Sequence, residues 1–322
     1  MYPNITTPLY RHETGPGDNE IYIKREDLLP YSFGGNKVRI AACYLAHMES
    51  QGCNHLLAYG NARSNLCRVL SNLCAAHGYK LTILSPADDD GQQRPSMNAA
   101  LCRRLGANII PCQKTGVAQA VDDAMDAIRA AGGKPYYIYG DRTGQGNRST
   151  PVTAYAEQYA VLMEQCLQEY QMIPDAVFLA TGTGMTQAGL LCGQTQYAHK
   201  DGRIPEIIGL SVARDEAAVT AHLTAYIRDY ADAHAGAVDP ELAVSRIRVY
   251  DRCRGQYGAP SEDIAGLIRH QFTQHGLPLD MTYTGKAYYA MQQFLAQNGW
   301  QGCRVVFIHT GGTPLFFDQL MG

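Results

Sequence analysis

The sequence has no apolar run long enough to cross a bilayer, no HExxH, no CxxC pair and no stripe of basic residues. Each absence removes a class of function. Without a long apolar run, no membrane-spanning helix is expected. Basic and acidic side chains number 27 and 30, for a net charge of −3, so nucleic acid is not an expected partner. The ten cysteines are irregularly spaced, and Cys43, Cys74, Cys102 and Cys192 stand in apolar helical or strand contexts. They read as reduced, buried thiols rather than a disulfide framework. The ten histidines form no metal motif, and no metal is expected. Met1 to Tyr10 has no basic head followed by an apolar stretch, so no secretory signal and a cytoplasmic location are expected.

What the chain does have is length and alternation. Its 322 residues, 46% of them apolar, suffice for a large core and two lobes. Strand-like stretches at 21–24, 55–59, 81–84, 108–112 and 136–139 alternate with helical ones at 37–50, 64–77, 96–105 and 117–131. A long helix is expected over 151–170, with Thr150 as its N-cap and Pro151 at its first position. The pattern continues with strands at 176–180, 207–212, 247–250 and 305–309, and helices at 185–199, 217–234, 261–275 and 285–297. Strands alternating with helices of ten or more residues imply parallel sheets in an α/β fold.

Several loops carry chemistry. Lys37 follows Phe33-Gly34-Gly35-Asn36 and opens a helical pattern. A helix N-terminus disfavours a free cation, so this lysine suits an amine bound to an aldehyde. Taken alone, it also suits a surface lysine after a glycine turn. Thr181-Gly182-Thr183-Gly184-Met185-Thr186 links a strand to a helix, a setting that favours a phosphate. It is not a Walker loop, and Gln187 stands where a dinucleotide fingerprint has its third glycine. Asn61 to Asn65 lies in another strand-to-helix turn, which can cap the helix or hold a substrate carboxylate. Tyr257-Gly258, the 280–286 segment and His309-Thr310-Gly311-Gly312-Thr313 add hydroxyls and glycines.

In order along the chain, these segments resemble the pyridoxal-phosphate enzymes of fold type II. More narrowly they resemble the D-cysteine desulfhydrase and 1-aminocyclopropane-1-carboxylate deaminase family. The resemblance runs from Ile21 nearly to the C-terminus. It rests on Ile23 to Leu28 with Gly34 to Lys37, on Ser64-Asn65, on the 181–189 loop, and on Tyr257-Gly258, Tyr283 to Lys286 and His309 to Gly312. It implies two α/β lobes of mostly parallel sheets, as in tryptophan synthase β: a large lobe over 1–43 and 147–322, a small lobe over 44–146, and a site in the cleft between. It also implies pyridoxal phosphate as cofactor and a homodimer. Lys37 would bind the cofactor aldehyde and Asn65 its ring hydroxylate. Thr183, Gly184, Met185 and Thr186 would hold the phosphate, while Thr284 and Thr310, the latter facing the pyridine nitrogen, complete the cofactor site. Ser64, Tyr257 and Tyr283 would surround the substrate as catalytic candidates. Arg63, Ser64, Asn65 and Leu66 would bind it.

Three departures stand out. Arg63 and Leu66 flank the serine-asparagine pair where the desulfhydrases have glutamine and histidine. Met185 replaces a usual glycine, and the 140–150 loop does not read like the family's glycine-asparagine segment. The resemblance implies α,β-elimination from a small β-substituted amino acid, D-cysteine by default, giving an α-keto acid and ammonia. Arg63 raises the expectation of an acidic, cysteate-type substrate. Ring opening of the deaminase kind and β-replacement remain open. So do a nicotinamide-binding dehydrogenase using Asp215, and a catalytically silent sensor.

Overall fold

The computed structural model describes residues 5–87, 95–199, 202–252 and 262–320. Their elements, in chain order, are β1 (Leu9–Gly15), β2 (Asn19–Lys24), α1 (Lys37–Ser50), β3 (His55–Tyr59), α2 (Asn65–His77), β4 (Lys80–Pro86) and α3 (Met97–Arg104). Then come β5 (Asn108–Cys112), α4 (Val117–Ala130), β6 (Pro135–Tyr137), α5 (Ser149–Tyr170), β7 (Ala176–Thr181), α6 (Met185–Gln196) and β8 (Glu206–Ser211). The last are α7 (Glu216–Ala233), α8 (Pro240–Ser245), β9 (Arg248–Tyr250), α9 (Glu262–His275), α10 (Thr284–Gln297), β10 (Arg304–Ile308) and α11 (Thr313–Leu320).

Two sheets form. One has the order β1-β2-β10-β7-β8-β9, the other β5-β4-β3-β6. Every pairing is parallel except β1 with β2. The reason lies in the connections: parallel neighbours need a long crossover, whereas only residues 16–18 separate β1 from β2, enough for a hairpin. The central strands carry continuous apolar runs, and Val177, Phe178 and Leu179 are fully buried because helices cover both sheet faces. The sheet of β3 to β6 falls inside the segment expected as the small lobe.

Some elements differ from expectation. The long helix begins at Ser149, so Thr150 lies inside its first turn rather than capping it. Its hydroxyl donates to Asn147, whose amide nitrogen in turn donates to the Ile138 carbonyl at 2.8 Å. Strand β1 and helices α8 and α11 were not foreseen. Helix α8 has six residues, too short for a 3.6-residue period to declare itself. The fold also gathers His12, Glu13 and His275, with ligand atoms within 4.8 Å of one another, a grouping no spacing foretold. Its polar atoms already have partners: Gln271 meets His12 Nε2 at 2.7 Å and donates to Glu13 at 3.2 Å.

Candidate active site

The carboxyl ends of the strands of both sheets open on one cavity of about 1010 Å³. This is where ligands of open α/β sheets bind, and the volume stands at the upper edge of the roughly 300–1,000 Å³ usual for ligand pockets.

Lys37 reaches it from the first residue of α1. The chain arrives there through five consecutive residues with positive φ, Tyr31 (75°), Ser32 (50°), Phe33 (63°), Gly34 (67°) and Gly35 (101°). Three are not glycine, and such strain persists only where surrounding bonds impose it. Gly35 N–H donates to the Glu26 carbonyl at 2.9 Å, Asn36 N–H to the Thr310 carbonyl at 3.0 Å, and buried Arg68 to the Gly34 carbonyl at 3.2 Å. Beneath the turn, the Glu26 carboxylate accepts from Arg39, Tyr155 and Thr7, each at 2.7 Å. Burial alone would raise the pKa of Glu26, but these donors, Arg39 foremost, hold it below the ordinary value. Lys37 itself has no ion pair or hydrogen bond at Nζ among the described residues. It is half-buried, and the enclosing protein pushes its pKa down to about 8.

Across the cavity, the 181–186 turn lies between β7 and α6. Gly184 flanks the helix with φ 91°, and a Cβ there would crowd Leu223 at 3.1 Å. Thr183, Gly184, Met185 and Thr186 all line the cavity. Thr186 Oγ1 accepts from Asn36 Nδ2 at 2.7 Å, which leaves the hydroxyl proton free to donate. Thr181 spends its proton on Gln187 at 3.0 Å.

Ser64 caps α2, accepting from Cys67 N–H at 3.1 Å, and lines the cavity with Asn65 and Leu66. The free N–H groups of a helix start suit an anion here. Thr310 and Tyr283 also line it. Thr284 does not. It is fully buried, donating to Asp280 Oδ2 at 2.7 Å and accepting from Asp280 N–H at 2.9 Å. Arg63 is likewise not among the lining residues: its N–H bonds Asn61 Oδ1 at 3.1 Å, and its guanidinium lies near enough to Asp318 to oppose in part the burial that raises that carboxyl's pKa. Tyr257 lies outside the described residues. Asp215, the acid a dehydrogenase would need, caps α7 by accepting from Ala218 N–H at 2.8 Å.

Sequence reasoning missed the cavity's charge. Lys37, Lys114, Arg142, Arg148 and Arg214 line it, and no Asp or Glu does among the described residues. Their partners partly occupy them: Arg142 pairs with Asp122 at 2.7 Å, Arg148 with Asp229 at 3.6 Å, and Arg214 donates to the Gly182 carbonyl at 2.7 Å. The one signal available was position, since Lys114, Arg142 and Arg214 each follow a strand within a few residues. A lysine amine without a partner among the described residues, a hydroxyl-rich helix start and a wall of cations together fit an aldehyde that carries a phosphate.

Comparison with known proteins agrees with this fit. A family model described as pyridoxal-phosphate dependent enzyme matches residues 2–311. A 1-aminocyclopropane-1-carboxylate deaminase of Mesorhizobium japonicum is 30% identical over 92% of this chain and 88% of its own. A putative deaminase of the same name from Pyrococcus abyssi is 27% identical over 92% of this chain and 86% of its own. Among solved structures, an ACC deaminase homologue superposes with a TM-score of 0.80 at 24% identity, covering 98% of this chain and 93% of its own. A hydrogen sulfide-producing enzyme of Fusobacterium nucleatum gives 0.65 at 18% identity, over 95% of both chains. The dehydrogenase alternative is thereby set aside. The chain belongs to the pyridoxal-phosphate dependent enzymes, with the fold type II architecture and pyridoxal phosphate as its cofactor.

Proposed function

We propose that this enzyme takes a small amino acid with a labile bond at its β-carbon and releases an α-keto acid and ammonia. The observation that carries the reading is Lys37, an amine with no partner among the described residues, in a cavity walled by cations that it shares with the 181–186 turn and Ser64-Asn65. When bound, the cofactor delocalises charge from the substrate's α-carbon.

The chain's own residues supply the rest. The α2 N-terminus, at Ser64 to Leu66, holds the substrate carboxylate. Lys37, once the substrate amine takes its place, is a base whose lowered pKa leaves a useful neutral fraction near neutrality, able to take the proton from the substrate's α-carbon. Tyr283 and Ser64 are hydroxyls on the cavity wall that can hand a proton to the departing β-substituent or to the substrate's β-carbon. Thr310, two residues past β10, lines the cavity with a neutral hydroxyl, which does not hold a ring nitrogen protonated as a carboxylate would. That favours reactions in which a β-substituent leaves as the α-proton is lost.

A second reading, opening of a strained ring, is supported by the relatives named 1-aminocyclopropane-1-carboxylate deaminase. The acidic-substrate expectation loses its original support, since Arg63 is not among the lining residues; Arg142, Arg148 and Arg214 are the cations available for such a group. The loaded enzyme is to be offered D-cysteine, L-cysteine, L-cysteate and 1-aminocyclopropane-1-carboxylate, with keto acid and ammonia measured. D-cysteine turnover supports elimination, and turnover of the cyclopropane supports ring opening. Release of neither product from any of the four sinks the proposal.

A further inference from the structure

We propose that Asn98 is a positioning residue that fixes the amide of Asn65 with its nitrogen toward the cofactor and its oxygen away. The proposal rests on the reading of Asn65 as the donor to the cofactor's ring hydroxylate. It concerns what makes Asn65 a donor at all. An asparagine amide can face a ligand with either end, and the two ends have opposite chemistry. Toward a ring oxygen that carries negative charge, the nitrogen attracts and the oxygen repels.

The orientation follows from one atom that can only accept. Asn98 is fully buried near the start of α3, and its Nδ2 lies 3.0 Å from the Arg63 backbone carbonyl. A carbonyl has no proton to give, so the Asn98 nitrogen must be the end that faces it. That same nitrogen lies 2.9 Å from Asn65 Oδ1. Its second N–H is therefore committed to Asn65, whose oxygen is drawn toward α3. Asn65 is left to present its own NH₂ to the cavity it lines. The Asn98 oxygen is buried and has no partner among the described residues, which is a cost tolerated at a site where the nitrogen's two bonds are needed.

The rest of the α3 start is built around the same turn. Ser96 caps α3 through Ala99 N–H at 3.1 Å, and its hydroxyl also donates to the Ala62 carbonyl. From the other lobe, Asp318 of α11 accepts from Met97 N–H at 2.8 Å. The Ala62, Arg63 and Asn65 positions are thus tied to one helix end. Among these ties, only the bond from Asn98 to Asn65 reaches a side chain that lines the cavity.

The test is a double-mutant cycle on the holoenzyme with Asn65→Ala, Asn98→Ala and the pair. Two quantities are read: the dissociation constant of pyridoxal phosphate and the position and pH response of the bound cofactor's visible absorption band. Loss of a hydrogen bond to a charged oxygen weakens binding roughly tenfold to a hundredfold, so Asn65→Ala should fall in that range. Asn98→Ala should weaken binding severalfold and move the band in the same direction. In the Asn65→Ala background, Asn98→Ala should change neither quantity, because nothing remains to be oriented. Asn98→Leu fills the same volume without a donor and carries the test if the alanine variant does not fold. An Asn98 effect that is absent in the parent background, or equally large with and without Asn65, overturns the proposal. An unchanged dissociation constant and band in Asn65→Ala alone would instead overturn the reading of Asn65 on which it rests.

Discussion

Removing the Thr186 hydroxyl separates two jobs that one oxygen does at once. The oxygen accepts from Asn36 Nδ2 at 2.7 Å, and its proton is free for the cofactor phosphate. Thr186→Ala takes away both. A hydrogen bond to a charged group contributes about 1.5–3 kcal/mol, so cofactor affinity should fall roughly tenfold to a hundredfold. The orphaned Asn36 amide is buried, which costs a further ~1–3 kcal/mol. That cost is paid with or without cofactor, so it lowers the melting temperature of both forms and leaves affinity alone. Thr186→Ser keeps the hydroxyl and should hold affinity near the parent's. Thr183 is exposed, and Thr183→Ala should cost less than Thr186→Ala. Equilibrium dialysis against pyridoxal phosphate gives the affinities, and thermal melts of the two forms give the stability cost. If Thr186→Ala melts earlier yet binds cofactor like the parent, the hydroxyl serves Asn36 only and the phosphate lies elsewhere.

Other expectations follow from the same geometry. Borohydride reduction and peptide mapping should find the pyridoxyl group on Lys37; an adduct on Lys24 or buried Lys286 would falsify that assignment. Gly311 has φ 103° and a Cβ there would fall 2.6 Å from Gly35 Cα, so Gly311→Ala should destabilise by more than ~1 kcal/mol, whereas Gly182→Ala, with open space around it, should melt like the parent. In the cofactor-free protein, burial lowers the Lys37 pKa from 10.5 to about 8, so the folded state gives up a proton that the unfolded chain keeps between those values, and stability rises with pH across that window. Lys37→Met should therefore be the more stable protein at pH 7, by at most about 3 kcal/mol, and lose most of that advantage by pH 10; a pH-independent difference in urea denaturation would refute it.

Much of this site was legible because it breaks local rules. A lysine in the first turn of a helix, behind two glycines, opposes the helix dipole; alone that conflict also suits a surface lysine, and it points to an amine with something to bind once the other glycine- and hydroxyl-bearing loops are read with it. What was not legible was which way neighbouring side chains point. Tyr283 and Thr284 are adjacent in sequence, yet one lines the cavity and the other is sealed against Asp280. The Asp280 carboxylate collects the N–H groups of Thr282, Tyr283 and Thr284 at 2.8–3.1 Å, which fixes the start of α10 and turns Thr284 inward. An aspartate commonly gathers the N–H groups of the turn that follows it, and here that local pull sets the direction of Thr284. Arg63 repeats the lesson. Asn61 claims its N–H, as a turn asparagine commonly does two residues on, and the turn that presents Ser64 and Asn65 to the cavity leaves Arg63 beside Asp318. Three of the cations that do line the cavity, Lys114, Arg142 and Arg214, follow the ends of β5, β6 and β8, separated in sequence by tens of residues. Nothing local relates them. They converge because parallel strands all end on the same edge of their sheet, and two such edges face each other across one cleft.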